Sequence, residues 1–191
     1  MKRLVFALFS LLVLSLGTQV QAQAKPINLD TVHSRIGFTA STLLFDVDGH
    51  FNDYKVLVDG DPNKPTSAKV ELIIEAGSID TDNAKRDSHL KNEDFLDVEK
   101  YPKITFKSRR IAQQGNKLTV TGTLTLHGKS KTIKIPFKIA KGKNGAGVDS
   151  VAYKGKLTLN RKEFGIGTDS IAAKISLEDE VEIDLLLVVL P

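Results

Sequence analysis

Asp87, Ser88 and His89 set the three side-chain types of a nucleophilic triad in consecutive positions. A working triad is assembled from separate segments, so that the base reaches the nucleophile and the acid reaches the base; neighbours along a chain point apart. The chain also lacks the G-x-S-x-G elbow that would expose a serine on a sharp turn. What the residue types leave open is a hydrolase or isomerase using His89 with Asp87 or Glu93. The four histidines are His33, His50, His89 and His127, none at metal-ligand spacing, and with no cysteine the chain has neither thiolate nor Cys-metal chemistry. Asp59-Gly60-Asp61-Pro62-Asn63 begins like a calcium loop. Its sixth position is Lys64 where Gly is needed, and its twelfth is Val70 where a bidentate Glu is needed. Gly165-Ile166-Gly167 starts a dinucleotide fingerprint but lacks the third Gly and a following helix, so it reads as a turn. No coherent catalytic constellation results, and the expectation is a non-enzyme with no cofactor and no metal.

The elements around these residues are strands. Ile133, Ile135, Phe137 and Ile139 alternate with Thr132, Lys134, Pro136 and Lys138; Leu118, Val120, Leu124 and Leu126 alternate with threonines. Val181, Ile183, Leu185 and Leu187, and Val70, Leu72 and Ile74, repeat the pattern. Period two puts one face inside and the other in water. Turn signals stand at Asp48-Gly49, Asp59 to Pro62, Gln114 to Asn116, His127 to Lys129 and Gly142 to Gly147. Thr81 to Val98 departs from the pattern and offers helix starts at Thr81/Asp82 and at Asn92. The reading is an all-β, eight-stranded antiparallel barrel with one or two short helices. Such a barrel is either filled by its own side chains or just able to hold one small ligand, and alternation alone does not choose.

Lys2 and Arg3, an apolar run from Leu4 to Leu16, and Ala22-Gln23-Ala24 have the three-part layout of a secretory leader. The run is too short for a membrane anchor, which needs roughly 20 apolar residues. The expectation is a leader over residues 1–24 and one domain over 25–191, exported and held together without disulfides. Lys2 and Arg3 contribute to the net charge of +4, and without them the balance is close to even. With no aromatic-interleaved basic stripe, nucleic acid is not an expected partner.

Residues 81–108, TDNAKRDSHLKNEDFLDVEKYPKITFKS, resemble the signature of the YceI family, exported lipocalin-like proteins with a polyisoprenoid-binding fold. Further resemblances fall in order around them. They include Asp30-Thr31-Val32-His33-Ser34 with Phe38, Gly49-His50-Phe51, the hairpin Gly122 to Lys131, the turn Asn160 to Gly167, and the closing strand Asp179 to Ile183. The chain departs where the family often opens with Trp (Ile27 or a neighbour here) and where it often carries a His after the first Phe (Ser41 here).

The resemblance implies an extended lipocalin-like β-barrel with a hollow, apolar interior, and a carrier of a long-chain amphiphile of polyisoprenoid or fatty-acyl type. It implies a Gram-negative periplasm, with secretion to the exterior as the alternative, and homodimers as a common assembly. The apolar interior is expected from Phe38, Phe51, Phe95, Ile104 and Phe106, together with Leu124, Leu126, Phe137 and Phe164. Arg86, Asp87 and His89, with Asn160 and Arg161 as a second patch, are expected either to take a head group or to lock the helical segment onto the barrel. The competing function is an envelope stress or interaction module with a filled barrel.

Overall fold

The computed structural model describes residues 24–60 and 64–191, so the segment read as a leader lies, but for Ala24, outside the described residues. The alternating segments form one curled antiparallel sheet of eleven strands. In chain order these are β1 (Lys25–Pro26), β2 (Arg35–Thr42), β3 (Asp46–Phe51), β4 (Tyr54–Asp59), β5 (Lys69–Glu75) and β6 (Ile79–Asp80). Then come β7 (Lys103–Gln114), β8 (Lys117–Leu126), β9 (Lys129–Lys143), β10 (Asp149–Asn160) and β11 (Leu177–Val189). The spatial order is β1-β4-β5-β7-β8-β9-β10-β11-β2-β3-β6. Among the described residues no helix is long and apolar enough to cross a membrane.

Eleven strands replace the expected eight because two long strands are bent and a short one is added. β3 and β4 are interrupted at Asn52-Asp53, and β5 and β6 at the turn Ala76–Ser78. The two breaks lie side by side: Asn52 N–H donates to Ser78 O at 3.1 Å, and Glu75 N–H to Asp53 O at 3.0 Å. β4 pairs with β5, and beyond the break β3 pairs with β6. The neighbours therefore kink together, and each continues as one strand. Because β6 continues β5 yet pairs with β3 at the far end of the spatial order, the bend also brings the two ends of the half-barrel together and limits exposed edge. β1 adds two residues to the outer side of β4.

Asp48-Gly49 is not a turn. It lies inside β3, with Gly49 directly opposite Phe38 of β2. A side chain on Gly49 would collide with the Phe38 ring and with Thr81. The ring occupies the space that the glycine leaves, which a turn signal read from sequence does not reveal. Gly155 stands likewise opposite Phe137, and Gly122 lies under Phe106 and the Lys107 carbonyl. Gly122→Ala is expected to lower stability by about 1–3 kcal/mol, because the methyl meets backbone that cannot turn aside. An unchanged urea midpoint would refute this.

The His127-Gly128 turn between β8 and β9 has positive φ at both residues (50° and 71°), the geometry that matches the twist of a two-residue hairpin. His127 also has a structural role: its Nδ1 is 3.0 Å from Phe164 O, and its ring meets Tyr101 edge-on at 4.8 Å.

Helix α1 (Ala84–Lys91) begins at Asn83, whose side chain accepts from the Arg86 N–H. Asn92, expected as a second helix start, instead follows the last turn of α1 and donates its N–H to His89 O. The second helix, α2 (Ile171–Ser176), lies elsewhere, capped by Ser170. Both helices stand at the same end of the curled sheet. At the opposite end Ile111, Leu118 and Val120 are buried, with Phe137, Ile139 and Tyr153 packed against them.

Candidate functional site

Between the packed end and the helical end lies a cavity of about 420 Å³, within the range of roughly 300–1,000 Å³ usual for ligand pockets. The inward residues of the long strands form its wall. Leu157 of β10 faces Ile183 of β11, Ile183 faces Phe38 of β2, and all three line the space. Phe51, Ile104, Phe106, Leu124, Leu126 and Ile135 continue the wall. Leu90, Phe95 and Leu96 approach from the α1 segment, and Ala172, Ala173 and Ser176 from α2. Phe164, 1% exposed, anchors the upper wall. Phe137 stands apart: two residues beyond Ile135 on β9, it lies over Gly155 in the packed end and does not line the cavity. The cavity floor is thus solid side chain.

The polar groups gather at the helical end. Arg86 and Asp87 converge on Thr81, which is 4% exposed. Asp87 Oδ1 accepts from Thr81 N–H at 2.9 Å and from its hydroxyl at 2.6 Å. Arg86 Nε donates to Thr81 Oγ1 at 2.8 Å, and Nη2 to Thr81 O at 2.7 Å. No ion pair joins Arg86 to Asp87 among the described residues; the threonine between them holds α1 to the end of β6. Arg86 also lines the cavity, whereas Asp87 does not. Thr81 carried no signal as a site residue in sequence, because its importance lies in what reaches it from the next helix.

His89 lines the cavity as well. Its ring meets Phe95 edge-on at 5.0 Å, and its Nε2 stands 4.0 Å from Asp94, on a largely open surface. Asn160 lies outside the wall and caps the turn that follows by accepting from Lys162 N–H at 3.0 Å.

Arg161 is the most engaged polar side chain. It is 4% exposed and donates to the carbonyls of Glu178 (2.8 Å), Ile166 (2.9 Å), Leu177 (3.0 Å) and Ala173 (3.2 Å), with Asp179 Oδ1 at 3.4 Å. It binds α2, the start of β11 and the Gly165-Ile166-Gly167 turn into one unit.

Burial raises the phenol pKa values of Tyr54 and Tyr153, both of which pack against the core. The N–H of Asp82 and the side chain of Asn52 lower that of Asp80. The cavity is an apolar bore whose polar lining side chains are confined to one end.

A family model described as "YceI-like domain" matches residues 28–189. A UPF0312 protein of Vibrio parahaemolyticus is 31% identical over 185 residues, covering 95% of this chain and 98% of its own. The crystal structure of Burkholderia cenocepacia BcnA is similar, with a TM-score of 0.74 at 30% identity over 84% of this chain and 99% of that one. A polyisoprenoid binding domain from Saccharophagus degradans shares the fold at 15% identity, with a TM-score of 0.64 over 85% of this chain and 97% of its own.

Proposed function

The chain belongs to the YceI-like domain family, and on that premise we propose that it is an exported carrier that sequesters a long-chain amphiphile of polyisoprenoid or fatty-acyl type. The observation that supports this most is the apolar cavity with its polar groups at one end. Burying ten methylenes of such a ligand would contribute roughly 8 kcal/mol before costs. Loss of translational and conformational freedom offsets a substantial part of that. A wall of Leu, Ile and Phe reads length and shape, so selectivity among tails is broad. The polyisoprenoid-binding description of a structural neighbour agrees with this reading, as does the leader-like sequence of residues 1–24 with a periplasmic setting.

Selectivity for the head falls to Arg86. Two of its nitrogens are committed to Thr81, and Nη1 is left to a phosphate or carboxylate at the mouth. A non-catalytic role is supported by Asp87, whose Oδ1 is already held by Thr81 rather than by His89. The bound lipid is then a cargo, not a cofactor.

The test is native mass spectrometry of the protein purified from its own host, followed by organic extraction. A discrete added mass recovered as a long-chain amphiphile is the expected result. An unliganded mass, with no uptake of added prenyl or fatty-acyl lipid, would end the carrier reading.

A further inference from the structure

Seven large apolar side chains stand exposed among the described residues, and five of them come from two neighbouring tips. Leu43 (83% exposed), Leu44 (85%) and Phe45 (60%) form the turn between β2 and β3; Ile171 (74%) and Ile175 (78%) share the outer face of α2. The Leu43 N–H donates to Ser176 O at 3.1 Å and joins the two tips. Exposed apolar residues scattered singly are ordinary, whereas a cluster marks an interaction surface.

The exposure is built into the fold. Thr42 and Phe45 close the turn between themselves: Thr42 N–H reaches Phe45 O at 2.9 Å, Thr42 Oγ1 donates to the same oxygen at 2.6 Å, and Phe45 N–H returns to Thr42 Oγ1 at 3.1 Å. That closure presents Leu43 and Leu44 outward. α2 is held from below by Arg161 through Ala173 O, so Ile171 and Ile175 cannot fold inward. The same two tips face the cavity with their other sides, through Thr42 and Phe45 on one and Ala172 and Ser176 on the other.

We propose that this rim docks on the surface of a lipid bilayer and inserts its five apolar side chains at the boundary of head groups and acyl chains. A second copy of the chain fits less well, since a specific protein interface takes roughly 20–30 residues a side and two convex tips supply far fewer. A bilayer accepts small convex apolar tips and needs no matching shape. Lys174, between the two isoleucines in sequence, can extend its ammonium to lipid phosphates while its stem lies along the apolar side. Docked so, the rim continues the cavity wall into the hydrocarbon, and a tail passing Phe45 crosses no water. The purpose of docking rests on the carrier reading, but its occurrence can be tested separately.

The experiment is co-sedimentation of the mature protein with phosphatidylcholine vesicles containing a minority of phosphatidylglycerol. The parent is compared with the double variant Leu44→Ser, Ile175→Ser, which changes only exposed side chains and is checked by its thermal midpoint. Cavity loading is measured in parallel with a fatty acid presented below its micelle concentration. The expected result is vesicle binding by the parent that weakens at least about tenfold in the variant, with loading unchanged. Equal vesicle binding by both proteins, or none by the parent, overturns the proposal. A concentration-dependent dimer in the parent that the variant loses would assign the rim to a second copy and overturn it too. Vesicle binding without cavity loading would leave docking standing and remove the carrier reading; loading without vesicle binding would do the reverse.

Discussion

Replacing Arg161 with Ala is expected to cost about 3–5 kcal/mol of stability, because several buried carbonyls lose a donor at about 1–3 kcal/mol for each one left unpaired and a space opens where the side chain lay. The guanidinium serves four carbonyls from three segments, and only its link to Asp179 is to another charge. Truncation takes a donor from each of those carbonyls in a place that water cannot easily reach; Ala173 O keeps the Leu177 N–H, and each group left unpaired adds a penalty. It also opens a space beside Gly167, whose absent side chain makes room for Arg161 Nη1. Lys in its place recovers little, because an ammonium on a flexible stem cannot reach donors' positions spread over a planar fork. Urea denaturation of Arg161→Ala and Arg161→Lys checks this. A loss below about 1 kcal/mol in the alanine variant would mean that α2 is held mainly by its own packing.

The second large effect concerns binding. The double variant Leu157→Phe, Ile183→Phe is expected to reduce lipid loading at least tenfold while leaving the thermal midpoint unchanged or raised. Both residues line the cavity from directly opposed positions on β10 and β11. Two larger rings there fill the bore without adding a polar atom. In a packed core the same change would cost stability through strain, roughly 1–3 kcal/mol, and the sign of the stability change therefore reports whether the space is empty. Native mass spectrometry after incubation with a fatty acid measures loading, and calorimetry the midpoint. Full loading of the double variant would place the ligand elsewhere.

Much of the wall was legible because alternation is a local property. Leu118, Val120 and Leu124 point inward as their threonine neighbours imply, and β8 pairs with β9 in the register that sets Leu118 beside Phe137 and Val120 beside Ile135. Whether an inward residue lines a void is not local. Phe106 and Phe137 have the same pattern around them, yet one borders the cavity and the other the packed end. The difference lies in what stands across the bore, on strands distant in sequence. Gly49 misled for a related reason: its glycine serves the Phe38 ring on the next strand rather than a turn. α2 escaped notice because six residues give too little helical period to register against strands on both sides. Thr81 shows the limit most clearly, since a threonine at a strand end becomes a junction only when Arg86 and Asp87 fold back onto it.

The solid floor formed by Ile111, Leu118 and Phe137 gives the bore a direction. A chain-like guest cannot thread through; it must enter tail first and leave head first by the same door, so its head group is the last part admitted and the first returned. On the carrier reading, transfer would be a hand-over at one portal, with the head group exposed to the recipient before the tail is withdrawn. Exchange should slow with each methylene that must be withdrawn, which makes residence time, more than recognition, the property that tail length controls.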